Sequence, residues 1–287
     1  MKDYATLEIE TDDRVRIVTL ARPEQRNALS PELLDELADA LTRADDDRRV
    51  HVVALRGAGP SFCSGYDLMP SSYAPYGSDD EHGRARSFAF DDDLWKLEQS
   101  QRRLLTIVDL HTPVVCAVQG ACVAGGTDLA FACDIVLAAE SARIGFPPVR
   151  TLGCPPNEWF TYLVGPQWAK RLLLTGDLLT GIDAARLGLV LDAVPDDELW
   201  AETLALAHRI ARVDPHLLSA NKRHVNLAME LMGQRTMQRL AAELDARGHL
   251  APSMREFGRI AAAEGIKAAV AARDEPFGDS TIRLRHR

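Results

Sequence analysis

The stretch from Pro113 to Arg150, PVVCAVQGACVAGGTDLAFACDIVLAAESARIGFPPVR, constrains this chain more than any other part of it. An apolar strand, Pro113 to Val118, passes through Gly120 to the glycine pair Gly125 and Gly126. It then enters a short apolar helix with one carboxylate, Asp128, in its first turn. Glycines at a helix start let another molecule come close to the backbone, and the unpaired N–H groups of the first turn point out along the positive end of the helix dipole. Such a place attracts an anion. GxxxxGG lacks the Lys and Ser/Thr of a nucleotide P-loop, so a thioester or ketone oxygen becoming an enolate fits better than a phosphate. Spacing alone leaves a second use open, since the same glycines would allow close packing of helix on strand.

The rest of the chain supplies the frame. Thr6 to Glu10 and Val15 to Leu20 flank the polar turn Asp12-Asp13-Arg14 and read as a β-hairpin. Ser30-Pro31-Glu32 gives an N-cap, a first-position proline and a first-turn acid, with Leu33, Leu34, Leu37 and Leu41 on one apolar face: a helix. A buried strand follows at Val50 to Arg56, then a helix through Leu94, Leu97, Gln101, Leu104, Leu105 and Val108. Ile135 to Ala139 is another apolar strand, and Gly181 to Leu187 a short helix. This alternation implies βαβ units, mainly parallel sheets and an α/β class. From about Leu199 the pattern turns helical, at Leu199 to Val213, Leu217 to Leu231, Met237 to Gly248 and Pro252 to Ala272. We therefore divide the chain into an α/β core, 1–200, and a helical region, 201–287. The polar stretch from Pro70 to Asp93, with Tyr73, Tyr76 and His82, reads as a long loop, either a lid or a disordered segment.

Charge and cysteine usage narrow the class. With 42 acidic against 33 basic residues and no Lys/Arg tract, the chain lacks a nucleic-acid surface. Cys63, Cys116, Cys122, Cys133 and Cys154 form no CxxC pair and mostly sit in apolar runs, which suits reduced core thiols rather than a disulfide frame or zinc site. The eight histidines show no metal spacing. The charged start and the absence of a run of ~18 apolar residues lead us to expect a cytoplasmic protein with no membrane partner.

Five motifs, taken in order, resemble the crotonase, or enoyl-CoA hydratase/isomerase, superfamily: RPEQRNALS (22–30), SFCSGYDL (61–68), the segment 117–147, LTGDLLTGIDAARLGLV (174–190) and EGIKAAV (264–270). The resemblance implies a spiral of ββα units followed by a helical region that forms homotrimers, often paired as hexamers. It implies an acyl-CoA substrate and no metal or redox cofactor, coenzyme A being part of the substrate. Two backbone N–H groups would grip the thioester carbonyl as an oxyanion hole, and by motif position these belong to Tyr66 and Gly125. Ser64, Gly65, Asp67, Leu68 and Gly126 would border the coenzyme, with Arg26 beside its phosphates and Lys267 as a basic contribution from the helical region. For Asp67, a turn-capping role competes with any chemical one.

The chain departs from the family at the acid/base positions. Hydratases of this kind carry two glutamates; here Asp128 stands at the first and Pro148, in IGFPPVR, at the second. Proline transfers no proton. Asp128 is then the expected proton-transfer residue, with helix-dipole complementation as its bland alternative. Glu158, beside Trp159, is a candidate replacement acid or base, or else a cap on the following helix. The expected activity is enoyl-CoA hydratase or isomerase. Thioester hydrolysis, C–C cleavage of a cyclic diketone and a non-catalytic acyl-CoA-binding role remain open at this point.

Overall fold

The computed structural model describes residues 2–68 and 90–285. The strands β1 (Leu7–Asp12) and β2 (Val15–Leu20) form the expected hairpin, with Asp12 paired to Val15 across the turn. Helix α1 (Pro31–Asp46) starts where the sequence marks it, Ser30 accepting a bond from the Leu33 amide at 3.2 Å. Strand β3 (Val52–Gly57), helix α2 (Phe90–Asp109), strand β4 (Val114–Val118), strand β5 (Ala121–Val123), helix α3 (Gly125–Ala132) and strand β6 (Ile135–Ala139) follow in order. Next come β7 (Arg143–Gly145), α4 (Phe160–Leu173), β8 (Leu178–Thr180), α5 (Gly181–Leu187) and β9 (Asp192–Val194). The chain closes with α6 (Leu199–Ile210), α7 (Pro215–Leu231), α8 (Gln234–Gly248), α9 (Pro252–Glu264), α10 (Ile266–Asp274) and β10 (Thr281–Ile282).

Six strands make one sheet in the order β1-β2-β3-β4-β6-β9, parallel apart from the hairpin. The period of two along each strand explains its two-sided burial. Val15 and Ile17 of β2, Val52 and Ala54 of β3 and Val115 of β4 face one side, where Ala207 and Ala211 at the α6 end cover them. Val18, Leu20, Val53, Leu55, Val114 and Cys116 face the other, joining the main core with α1, α2 and α3. A four-stranded sheet, β10-β8-β7-β5, stands beside the first. The short strands β5, β7, β8, β9 and β10 have two or three residues each, too few to leave a periodic signature.

Two expectations need correction. The helix read over 252–272 is two helices, because Gly265 sits at φ +90°, outside helical geometry. The loop read over Pro70 to Asp93 ends sooner, since Asp91, Asp92 and Asp93 lie in the first turn of α2; Tyr73, Tyr76 and His82 fall outside the described residues. Among the described residues no helix is long and apolar enough to cross a membrane.

Candidate active site

The segments 22–30 and 61–68 are locked to one another. The Asn27 side chain donates to the carbonyls of Ala58 and Ser61, both at 2.9 Å, and accepts from the Arg22 amide at 2.9 Å. Arg22 also donates to the Asp67 carboxylate at 2.9 Å, an ion pair whose acidic side chain is 4% exposed. Leu29 donates to the Gly65 carbonyl and accepts from the Asp67 amide, and Ser64 donates to the Arg26 carbonyl. The side chain of Asp67 thus pairs with Arg22 and ties the two segments together.

The same segment lies alongside the strand-to-helix turn. Phe62 donates to Gln119, Cys63 to Ala121 and Val123 to Cys63, a short parallel ladder that brings Gly65 and Tyr66 up to the start of α3. A Cβ on Gly65 would fall 2.6 Å from the Ala124 Cβ and 3.2 Å from the Gly125 nitrogen. One on Gly125 would fall 3.1 Å from the Tyr66 nitrogen. Gly65 has φ +102°, where an L side chain is strained, and Ala124 itself holds φ +55° and ψ −129°. The crossing therefore depends on an absent side chain, with backbone strain stored beside it. Gly125 and Gly126 open α3, whose first turn has no side-chain cap among the described residues, so their N–H groups have no acceptor within the helix. Gly126 packs on Cys63, where a Cβ would come within 2.5 Å of the carbonyl oxygen.

Asp128 lies in that first turn and is 1% exposed. Its Oδ2 accepts from the Tyr66 hydroxyl at 3.1 Å, while Oδ1 has no partner among the described residues. Burial pushes its pKa well above the ordinary carboxylate range. Tyr66 and the nearby Asn157 amide pull it back, and the charges of Asp245 and Glu158 push it further up. A buried carboxyl whose pKa is raised by desolvation, within reach of a phenol, is suited to moving a proton.

The chain from Pro148 to Trp159 forms a wall near Asp128, on which its Asn157 and Glu158 act. The Pro148 carbonyl accepts from Thr151, Leu152 and Gly153 at 3.1, 2.8 and 3.2 Å, closing its own turn. Gln238 of α8 brackets Glu158, accepting from its amide and donating to its carbonyl, both at 2.9 Å. Gln101 of α2 bonds the Pro156 carbonyl at 2.7 Å. The Glu158 carboxylate accepts from the Thr161 amide at 2.6 Å, so it caps α4. Asn157 is different. It is 1% exposed, yet neither its amide oxygen nor its nitrogen bonds to a described residue; the Trp159 indole N–H and the Thr151 hydroxyl are likewise buried and unbonded.

Behind this wall, α8 presents Asp245, 5% exposed and packed against Gly153. Burial, reinforced by Asp93, raises its pKa to about 7 against the pull of His249 and the Cys154 amide. His249 reaches Asp245 at 3.5 Å and Asp93 at 2.6 Å. The motif residues thus fall into groups. Tyr66, Gly65, Gly125, Gly126 and Asp128 come together, and Ser64 and Arg26 flank them, Arg26 exposed. Leu68 is 40% exposed, and Lys267 lies exposed on α10. Lys222, by contrast, is buried, donating to the carbonyls of Ile107 and Thr112 and pairing with Asp134 at 2.9 Å. Sequence reasoning passed over Asn157, which followed two prolines and looked like loop. It also passed over Asp245 and His249, whose i, i+4 spacing on a helix was the only available signal. Cys63, Cys116, Cys122 and Cys133 are buried, which raises the Cys63 thiol to about 12. Among the described residues no three potential ligands gather to hold a metal.

A profile of the enoyl-CoA hydratase/isomerase family matches residues 10–277. The crotonyl-CoA hydratase of Syntrophomonas wolfei is 32% identical over 252 residues, 85% of this chain and 89% of that protein. Among solved structures, an enoyl-CoA hydratase from Mycobacterium smegmatis superposes with a TM-score of 0.88 at 35% identity, covering 97% of this chain and 96% of that one. An enoyl-CoA hydratase/isomerase from Xanthobacter autotrophicus superposes at 0.87 and 33% identity, covering 96% and 99%.

Proposed function

Because the chain belongs to the enoyl-CoA hydratase/isomerase family, with the crotonase fold of its relatives, we propose that it hydrates or isomerises an enoyl-CoA thioester at the crossing of Gly65–Tyr66 with the start of α3. The thioester carbonyl takes the N–H groups of Tyr66 and Gly125, and each such donor contributes about 3 kcal/mol to the oxyanion-like transition state. In hydration, a water oxygen bonds the β-carbon and the double-bond electrons move into the enolate. Asp128 takes one proton from the water and returns it to the α-carbon. One carboxyl then serves both transfers, which suits a chain with Pro148 at the second acidic position. Isomerisation uses the same carboxyl to carry a proton between carbons.

The observation that supports this reading best is the buried carboxyl of Asp128 beside two backbone segments that only glycine lets approach so closely. The same proposal has Arg26, Ser64, Gly65, Asp67, Leu68, Gly126 and Lys267 bordering the coenzyme, the backbone rather than the side chain acting at Asp67. It also includes a homotrimer or hexamer, a cytoplasmic setting and no cofactor beyond the substrate's own coenzyme A. Glu158 drops to a supporting role, since its carboxylate is used in capping α4.

The test is turnover of short and medium trans-2-enoyl-CoA thioesters, followed by loss of the conjugated absorbance, in the wild type and Asp128→Asn. The variant is expected to lose about 10²- to 10⁴-fold in kcat, the range for removing a general acid or base. Full activity in Asp128→Asn, or no enoyl thioester turned over by the wild type, rejects the proposal.

A further inference from the structure

We propose that Asn157 is the second polar group of the pocket, a positioning residue whose amide and the Asp128 carboxyl together hold the hydroxyl oxygen that adds to, or leaves from, the β-carbon. This rests on the hydratase reading above. Three buried polar atoms meet here without protein partners among the described residues: Asp128 Oδ1 and both amide atoms of Asn157. Native structures leave few such atoms, and each one costs stability that an apolar residue of the same shape would not. Their grouping next to a proton-transfer carboxyl marks a place built to take a polar ligand. The Asn157 amide faces the Asp128 carboxylate and lowers its pKa as a side-chain hydrogen-bonding group, although the pair falls short of full bonding geometry. A water or hydroxyl that reaches both would have an amide N–H to accept from, and an amide oxygen and a carboxylate to donate to.

The arrangement supplies what position 148 cannot. Two polar groups are needed to fix an attacking water: one accepts its proton and the other sets its direction. Asp128 does the first and Asn157, which has no titratable group, does the second. The proton count closes with one carboxyl, because the proton that water gives to Asp128 is the one delivered to the α-carbon. Asn157 is held for this task by its neighbours, the main chain on either side being fixed by Gln101 at Pro156 and Gln238 at Glu158.

Asn157→Leu, of nearly the same volume, separates this role from a structural one. It removes two unbonded polar atoms, so the thermal midpoint should hold or rise, whereas kcat for hydration of a plain alkyl enoyl thioester should fall about 10- to 100-fold with KM changed less than threefold. Asp128 is faced by Tyr66, Cys63 and Cys122, by Cys154 and Glu158 ahead of α4, and by Asp245 of α8, with His249 and Asp93 behind it. With these unchanged, loss of the amide raises the pKa of Asp128. The rising limb of the kcat/KM–pH profile then moves to higher pH. Asn157→Gln, with the amide displaced by one methylene, should recover part of the rate.

A drop in thermal midpoint together with an unchanged pH profile would make Asn157 structural and overturn the proposal. An effect confined to KM, and seen only with acyl chains that carry their own oxygen, would assign the amide to the acyl group instead of water, and also overturns it. Activity in Asn157→Leu equal to wild type overturns it while leaving the hydratase reading intact. Failure of the wild type to hydrate any enoyl thioester removes both.

Discussion

Two regions border the crossing, and they use their buried polar atoms in opposite ways. In the frame made by 22–30 and 61–68, the Asn27 amide bonds three backbone groups and Asp67 pairs with Arg22. In the wall from Pro148 to Trp159, the Asn157 amide, the Trp159 indole and the Thr151 hydroxyl are buried and bond to no described residue. Both contain a buried asparagine, so burial and residue type do not distinguish them; partners do. A satisfied network fixes one backbone geometry, whereas an unsatisfied one gives up stability that a bound polar group can restore. In the proposed reaction the frame is the part that sets the oxyanion donors, and the wall the part that receives what reacts.

The largest break of this comparison is Gly65→Ala. The added Cβ would sit 2.6 Å from that of Ala124, at φ +102°, with backbone of Val123 and Gly125 just beyond. The neighbour is a side-chain stub on a strained backbone and has nowhere to swing. We expect a loss of about 3–5 kcal/mol by denaturant melting, adding overpacking to backbone strain. Whatever fraction folds should lose most of its kcat, because the Tyr66 amide is displaced from Gly125. A variant of wild-type stability and rate would show that the two segments do not need to cross so closely.

Next in size is Asp67→Asn, the frame's counterpart to Asn157→Leu in the wall. It leaves the Arg22 guanidinium, 17% exposed, without its carboxylate. Removing one partner of a largely buried pair costs about 2–4 kcal/mol, tempered here because Arg22 keeps its bond to the Ala28 carbonyl. Stability should fall while kcat, corrected for folded protein, stays within a few-fold. Asn157→Leu should do the reverse. If both variants lose stability and activity together, the division between frame and wall is not real.

The frame and the core elements around it were also more legible in the sequence than the wall. Ser30-Pro31 announced α1, the apolar runs at Val50 and Pro113 announced the central strands, and the glycine pair with Asp128 announced the helix start. Each of these signals is local, a cap, a period or a residue that only one backbone conformation favours. The wall gave no such signal. Asn157 looked like any loop asparagine, because what sets it apart is a set of missing bonds, which depends on segments far away in the chain. Glu158, the charged and therefore more noticeable residue, turned out to cap α4. Asp245 and Gly153 are 92 positions apart by their numbers yet touch, and no spacing rule joins them. The helical region likewise looked separate by composition, although Ala207 covers the main sheet, Lys222 reaches the α2 end, and Gln238 and Asp245 back the wall.

The smallest expected effect concerns that backing. Asp245 has a pKa raised to about 7 by burial and by Asp93, and Asp128 is raised by burial in the same direction. A carboxyl whose folded pKa lies above its unfolded value of 3.8 contributes stability below that value, and the contribution is lost as pH rises through the folded one. His249, held above its ordinary value by Asp93 and Asp245 against the pull of burial, acts in the same sense, since its folded pKa is also the higher one. The protein should therefore lose stability between about pH 4 and pH 8, on the alkaline side of the usual acid transition. Asp245→Asn removes one ionisation from this sum and keeps an oxygen for the Cys154 amide. Its stability should exceed that of the wild type by roughly 1–3 kcal/mol at pH 8, with the gap narrowing as pH falls and closing near pH 4. Denaturant midpoints at the two pH values measure it. A gap of the opposite sign at pH 8 would make Asp245 and His249 a stabilising ion pair. The wall would then rest on a satisfied network like that of Arg22 and Asp67, and the contrast between the two regions would be confined to Asn157 and its immediate neighbours.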